Sequence, residues 1–400
     1  MRYNSRYPAG RAGGGQAVRI AHISDTHLGY TRYARLCPKT GRNQREVDVS
    51  EAYTRAVDAI LERDVDLVIH SGDVFDSIRP ATHVVVHFLK QTARIIGRDI
   101  PYYGIAGNHE TPRLRATTAA LEYATIVGAR FVHGYEPDYD AVDVSGVRVG
   151  LSLIPHGAVA DREVVVTPNR DDDISILVTH GTVPGLRIRG HELGEVDLPG
   201  HVLDGNFDYV ALGHYHYFHP HRRNAYYAGA TERFGFGEVD ARPGFAVVEF
   251  DGNGVKKIEH VPIPCRPMLD LPRIDATGMD AAELTEAIRE RTDREEIDGA
   301  VVRLKVVEAP RGVAGGVDRG LLRELRRRCL DFSLEISEAG AEEAPPGEAV
   351  VAAFGPLEEE FRAFVEDRRR SGKIGQRFAE SFLAAGLDYL RRAGEGTRET

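Results

Sequence analysis

Five short apolar runs before residue 217 each stop at a cluster of metal-ligand residue types, and this repetition restricts the fold more than any other feature. "VRIAHIS" leads into Asp25-Thr26-His27. "VDLVIHSGD" ends at Gly72-Asp73 and continues through Val74-Phe75-Asp76, and "PYYGIAGNH" ends in Gly107-Asn108-His109-Glu110. Two later runs, "DISILVTHG" and "DYVALGHYH", deliver Thr179-His180-Gly181 and Gly213-His214-Tyr215-His216. Each reads as a core strand. Ligands of α/β sheets gather outside the carboxyl ends of the strands, so strands lying side by side would bring these groups to one edge. A lone Asp or His at a strand end is usually a structural hydrogen-bonding group; coincidence does not account for the whole set.

Such a set makes a two-metal site. A divalent cation needs several ligands, and two cations close together need one carboxylate placed to bridge them. In D-x-H and H-x-H the period-2 alternation of an extended chain, or a short turn, brings both side chains to one side. The adjoining glycines permit positive φ and close approach of the main chain. Oxygen and imidazole donors without a thiolate suit Mn(II), Fe(II) or Zn(II) better than Mg(II).

The surrounding pattern has the shape to carry these strand ends. "SEAYTRAVDAILERD" places Tyr53, Ala56, Val57, Ile60 and Leu61 on one helical face, with Ser50 as its expected cap. "ATHVVVHFLKQTARIIG" reads as a second helix ending at Gly97. The repeat is therefore βαβαβ, which implies a parallel sheet with right-handed crossovers. From about residue 130 strands dominate, and Ser-Gly in "VDVSGVRV" reads as a hairpin turn, as does "FDGNGVKKI". The expected fold class is α/β, two sheets packed face to face with helices outside. After Pro264 a β-α-β-α-β pattern forms a small α+β unit. "AGAEEAPPGEA" reads as a linker, followed by two amphipathic helices whose apolar faces are Leu357, Phe361, Phe364 and Val365, then Phe378, Phe382, Ala385 and Tyr389. The expected divisions are a flexible lead at 1–17, a catalytic domain at 18–264, the small domain at 265–340, a linker at 341–356 and a helical segment at 357–392.

No run approaches the roughly 18 apolar residues of a membrane helix, and the Arg/Gly-rich lead lacks a secretion signal, so a cytoplasmic protein without a membrane partner is expected. Cys37, Cys265 and Cys329 form no C-x-x-C pair, which argues against a disulfide framework and a structural zinc site. The formal net charge of -10 is unlike that of a protein binding nucleic acid through bulk charge. A metal-dependent enzyme acting on phosphates concentrates carboxylates at its site, so the charge counts only weakly against such a substrate.

The ordered set DTH, GDVFD, GNHE, THG, GHYH resembles the calcineurin-like metallophosphoesterases, whose five motifs follow this order on a two-sheet sandwich flanked by helices. "HISDTHLGY", "HSGDVFDSIRP", "GNHET", "GHYH" and "YYAGATERFGFGE" are further similar to the DNA-repair nucleases called Mre-eleven in eukaryotes and archaea and SbcD in bacteria. The unit after Pro264 resembles that family's DNA-capping domain, and the terminal helices resemble its segment that docks on a partner ATPase. The resemblance implies that Asp25, His27, Asp73 and His216 hold one metal. It implies that Asp73, Asn108, His180 and His214 hold the other, with Asp73 bridging, and that His109 meets the scissile phosphate. It implies a Mn(II)-dependent DNA nuclease, an exonuclease that also has scope for endonuclease cleavage, working as a homodimer with an SbcC-type ATPase in double-strand-break repair. Asp76, where many archaeal and eukaryotic members have His, is with His70 and Glu110 a candidate to support the ligands. Arg113, Arg187 and Arg189 are candidates for DNA contact, with a solvated loop as the competing reading, as it is for Arg115, Arg222 and Arg223.

The other histidines have plainer explanations. His22 and His70 sit in core strands and are expected to be satisfied internally. His83 and His87 mimic a zinc-binding helix, but Val84 stands where the motif needs Glu, so they are expected on the helix surface. His219 and His221 are expected at the solvent or substrate edge. Two other functions fit the motifs: a phosphoesterase for small phosphoesters, and a non-catalytic subunit binding DNA ends.

Overall fold

The computed structural model describes residues 17–111, 119–159, 164–183, 186, 198–251, 254–340, 361–362, 365, 369 and 375–395. The expected alternation is present as β1 (Val18–Ile23), α1 (Gln44–Leu61), β2 (Leu67–His70), α2 (Thr82–Ile96) and β3 (Tyr102–Ile105), extended by β4 (Arg130–Val132). These four strands are parallel. The antiparallel pair β11 (Gly244–Asp251) and β12 (Gly254–Pro262) joins the free side of β1, giving the order β12-β11-β1-β2-β3-β4.

The second sheet contains β5 (Asp138–Val144), β6 (Val147–Ile154), β7 (Ile174–His180), β8 (Tyr209–Gly213), β9 (His219–Arg222) and β10 (Ala225–Tyr227) in the order β5-β6-β7-β8-β10-β9. Its β6, β7, β8 and β10 are parallel. The hairpin β5–β6 turns at Ser145-Gly146 with φ of 52° and 78°, the left-handed pair a tight hairpin requires. His219 and His221 thus belong to an edge strand.

One apolar layer lies between the sheets, with Ile20, Leu67, Ile69 and Ile105 from the first meeting Leu151, Ile176, Val178 and Tyr209 from the second. The outer face of the first sheet is covered by α1 and α2, through Tyr53, Val57, Ile60 and Phe88. That of the second is covered by two single turns, α3 (His156–Val159) and α4 (Gly200–Leu203). The structure corrects the start of α1. Asn43, not Ser50, is the cap, its side-chain oxygen accepting the Arg45 N–H at 2.9 Å. The first turns bury Arg45, Glu46 and Asp48 through ionic contacts alongside Val47 and Val49, so the apolar face is interrupted by charge at its start. His83 is exposed, as expected, and His87 half-buried; His83 Nε2 lies 2.8 Å from Glu46 Oε1 and His87 Nε2 3.0 Å from the Ser50 carbonyl, tying α2 to α1.

His22 pins the two sheets, with Nδ1 2.9 Å from the Tyr209 hydroxyl and Nε2 2.8 Å from Ser71 Oγ. Burial lowers its pKa to about 3, and burial together with the neighbouring His22 does the same to His70. In the unfolded chain both titrate near about 6.5. Between these values the unfolded state binds protons that the folded state refuses, so stability falls as pH drops below about 6.5, on the order of 1 kcal/mol per pH unit for each histidine. Glu110, pushed up to about 8 by burial and then by Asp73, offsets the share of about one histidine in this window. Urea midpoints of metal-free protein should therefore fall between about pH 6.5 and 5 by the remainder; a flat midpoint would contradict the assignment.

Beyond Pro264, β13 (Met268–Asp275), α5 (Ala281–Asp293), β14 (Val301–Ala309), α6 (Arg319–Arg328) and β15 (Asp331–Glu338) form a parallel three-stranded sheet in sequential order. Leu284, Ile288, Val302, Leu304, Leu321 and Leu325 close its own core, and Asp280 with Glu283 forms a capping box on α5. This small domain falls within the same compact unit as the sandwich, Met1–Ala341, and Glu342–Thr400 forms a second. In the latter, α7 (Gln376–Glu395) carries Phe378 and Phe382, both exposed, with Phe361 against Phe382. The expected linker, Leu357, Phe364 and residues 1–16 lie outside the described residues, as does the side chain of Tyr389. Among the described residues no helix is long and apolar enough to cross a membrane.

Candidate metal centre

The parallel strands deliver their polar ends to one place. Asp25 and His27 follow β1, Asp73 follows β2, Asn108 and His109 follow β3, His180 is the last residue of β7, and His214 and His216 follow β8. The ladder continues past the strands: the N–H groups of Asp25 and His27 donate to the carbonyls of Gly72 and Asp73 at 3.1 and 3.0 Å. The Asp25 carboxylate accepts the His214 N–H, both oxygens at 3.1 Å, and Asp73 Oδ1 accepts the His109 N–H at 3.0 Å.

Backbone conformation shows how tightly these turns are held. Asp25, His27, Asp73 and His214 adopt positive φ, at 50°, 41°, 55° and 102°. L-residues are uncommon there, and each such residue stores on the order of 1–3 kcal/mol. Two glycines make room. A Cβ on Gly72 would overlap the His180 ring, and one on Gly107 would overlap the Asp73 carboxylate and backbone. Gly107→Ala should push Asp73 aside, weakening ion binding and lowering stability by about 1–3 kcal/mol; unaltered ion titration and melting would count against this placement.

The ligand atoms fall into overlapping groups. Asp25, His27 and His216 lie together, as do Asp73, His180 and His214, and His27, Asp73 and His109, with the ligand atoms of each group within 4.8 Å of one another. Asn108 closes the second group, its Oδ1 2.9 Å from His180 Nε2 and 3.1 Å from His214 Nδ1. Asp25, His27, Asp73 and His180 form a buried floor, and Asn108, His109, His214 and His216 are half-buried.

The outward nitrogens of the imidazoles are committed. His180 Nδ1 donates to the Ser71 carbonyl at 2.8 Å, His216 Nδ1 lies 2.7 Å from Glu238 Oε1, and His27 Nδ1 lies 3.3 Å from Asp76 Oδ1. The Ser71 and Glu238 bonds hold the His180 and His216 protons outside and leave their Nε2 lone pairs facing inward, and the Asp76 carboxylate favours the same arrangement at His27. His27 Nε2 and His216 Nε2 stand 3.2 Å apart, and His180 Nε2 is 3.3 Å from Asp73 Oδ2. Lone pairs and carboxylates converging in a buried space repel unless protons or cations lie among them, so the donor set fits divalent ions. The same crowding appears in the titration. Burial opposes charging of His180 and His216, yet Asp73 and Asp25 for the first, and Glu238 and Asp25 for the second, outweigh it and raise both imidazoles to about 9.

The remaining expected residues are placed as follows. His109 stands edge-on to His27, ring centroids 4.7 Å apart, and its Nδ1 donates to the Asp76 carbonyl at 3.0 Å. Asp76 is thus beside both His27 and His109. Glu110 is buried, one oxygen accepting the Phe75 N–H at 2.7 Å and the other the Gly107 N–H at 3.0 Å, which locks two ligand loops together. His70 reaches the site through Thr26, whose hydroxyl donates to the Val74 carbonyl and accepts from His70 Nε2 at 3.2 Å. Arg222 donates to Asp204 Oδ1 at 2.8 Å on the edge strand. Arg113, Arg115, Arg187 and Arg189 lie outside the described residues. Sequence reasoning missed the roles of Glu238 and of Phe234, whose ring packs on both His27 and His216. Both lie in the quoted stretch "YYAGATERFGFGE", but nothing in its spacing says which histidine they serve.

Residues 18–218 match the family described as calcineurin-like phosphoesterase. The chain is 27% identical over 365 residues to the DNA double-strand break repair protein Mre11 of Methanopyrus kandleri, covering 82% of this chain and 74% of that protein. To the protein of the same name from Methanocaldococcus jannaschii it is 27% identical over 285 residues, 66% of this chain and 72% of that one. To that of Saccharolobus solfataricus it is 30% identical over 205 residues, covering 50% and 49%.

Proposed function

Because this chain belongs to the calcineurin-like phosphoesterase family, we propose that it is a Mn(II)-dependent DNA nuclease that hydrolyses phosphodiesters in double-strand-break repair. The observation that carries the DNA substrate is the extent of the likeness to the Methanopyrus kandleri protein. An alignment spanning 82% of this chain extends well past residues 18–218, into the small domain that a phosphoesterase for small substrates does not need.

Asp25, His27, Asp73 and His216 hold one ion in this reading, and Asp73, Asn108, His180 and His214 the other; the inward-facing donor atoms support it. Bound divalent ions supply Lewis acidity toward phosphate oxygens and an acidified water as nucleophile. Asp73 is the buried carboxylate that lies with His27 and His109 on one side and with His180 and His214 on the other, which suits it to bridge, and its second task is to receive the His109 N–H. The neutral Asn108 amide contributes an oxygen donor without adding negative charge where a phosphate anion must enter. His109, half-buried at the rim with Nδ1 committed to the Asp76 carbonyl, has Nε2 as the nitrogen that stabilises or protonates the leaving oxygen. The small domain acts as a cap toward DNA, and the aromatic face of α7 receives an SbcC-type ATPase; a homodimer completes the assembly.

Purified protein with Mn(II) should degrade duplex DNA and stop on chelation. Rapid turnover of small phosphoesters without DNA cleavage would replace the nuclease reading with the plainer phosphoesterase one. Full-length protein should retain a purified SbcC-type ATPase in a pull-down, and protein lacking residues 350–400 should not. Equal retention would remove the partner assignment.

A further inference from the structure

The turn Phe236–Glu238 stands between one half of the metal centre and the small domain, and it touches both. On the inner side, Glu238 accepts with both carboxylate oxygens, from His216 Nδ1 at 2.7 Å and from the Phe234 backbone N–H at 2.7 Å. The Phe234 ring lies 4.7 Å from that of His27 and 5.2 Å from that of His216, and its carbonyl accepts the Tyr30 hydroxyl at 2.6 Å. On the outer side, Phe236, Val239 and Tyr33 pack against Met268, Val301 and Leu330 of the small domain. The Arg303 guanidinium stacks over the Phe236 ring, 4.5 Å from its centroid, and Asp270 holds that guanidinium through two hydrogen bonds of 2.9 and 2.6 Å.

The segment entering this turn is held as firmly. Arg45 is fully buried; it donates to the Arg233 carbonyl and lies 3.1 Å from Asp48 and 3.5 Å from Glu232. Arg266, at the threshold of the small domain, donates twice to Asp48, and its own N–H reaches Glu232 Oε2 at 3.3 Å. Burying these charges is costly unless every partner is in register, so the network fixes the position of the domain more than it adds stability.

We propose that the small domain, through Arg303 and Phe236, sets the position of Glu238 and through it the ring of His216, making Glu238 a positioning residue for the ion held by Asp25, His27 and His216. This rests on the two-ion reading above. The physical step is short. With Glu238 in place the imidazole proton stays on Nδ1 and Nε2 points its lone pair inward; with Glu238 displaced, the ring is free to turn and to carry its proton on Nε2, which withdraws a donor. Displacement of the domain therefore loosens one ion and leaves the Asp73–Asn108–His180–His214 group as it was.

The test is Mn(II) titration of the full-length protein, with free ion read by electron paramagnetic resonance. Wild-type protein should show two bound ions. Glu238→Ala should weaken one of them by about 10- to 100-fold, and Glu238→Gln, which keeps an acceptor oxygen, should weaken it less. Arg303→Ala and Phe236→Ala should each weaken the same ion by several fold, with Phe236→Tyr, which keeps a ring beneath the guanidinium, restoring most of the loss. In the double variant Arg303→Ala/Glu238→Ala the loss should not exceed that of Glu238→Ala alone, because the two substitutions act through one contact. Wild-type affinity in the Arg303 and Phe236 variants, equal weakening of both ions, or additive losses would overturn the proposal. Fewer than two ions on wild-type protein would overturn the two-ion reading itself and this inference with it.

Discussion

His109→Ala should lower the rate of DNA hydrolysis by about two to four orders of magnitude, the usual contribution of a positioned acid or base, while the protein still takes up two ions. His109 is close enough to His27 and Asp73 to be counted with them as a ligand group. Its engaged Nδ1 and half-buried ring are shared with the ligand imidazoles, so the number of ions held is what separates the two roles. An ion count therefore discriminates: a rate loss with two ions bound identifies a group acting on substrate, whereas loss of an ion makes His109 a ligand. Asn108→Ala, its immediate neighbour, should give the reverse, weakened ion binding first and rate loss as a consequence.

Asp73→Ala should have the larger effect. Its carboxylate lies in two of the ligand groups and also receives the His109 N–H, so in the two-ion reading its removal takes a ligand from both ions and frees the loop bearing Asn108. Loss of several kcal/mol of charge stabilisation corresponds to about a thousandfold or more in rate. Metal-free folding should suffer as well, because the folded state holds the buried carboxylate well below its usual range: burial opposes that direction, and His180 and His27 outweigh it, so its removal leaves those imidazoles unpaired. DNA hydrolysis within tenfold of wild type would show that the centre works some other way, and would favour a DNA-end-binding subunit without catalysis.

The strand order along the chain and the polar strand ends were legible because both depend on local pattern: short continuous apolar runs, buried on both faces, and glycine beside a ligand type. The β-α-β-α-β unit was legible for the same reason, with caps and apolar faces lying within each element. What escaped was set by contacts between distant segments. Arg45 has the composition of a surface residue, and only Glu232 and Asp48 explain its burial. The start of α1 lies earlier than its apolar face suggests because Arg45, Glu46 and Asp48 are buried there alongside Val47 and Val49. His216 was recognisable as a ligand, but the carboxylate that holds its outer nitrogen comes 22 residues later in a turn with no periodic signal. The return of β11 and β12 to pair with β1 likewise has no local mark.

Asp25, His27, Asp73 and Asn108 hang from one sheet of the sandwich, and His180, His214 and His216 from the other. Ions shared between the two groups would rivet the layers across their open edge, where the apolar filling between the sheets ends. Occupancy is then written into thermal resistance: an ion at a hundredfold excess over its dissociation constant adds about 2.7 kcal/mol to the folded state. A chelator acts on such a protein as a mild denaturant as well as an inhibitor, and a melting curve becomes a gauge of how fully the metal centre is loaded.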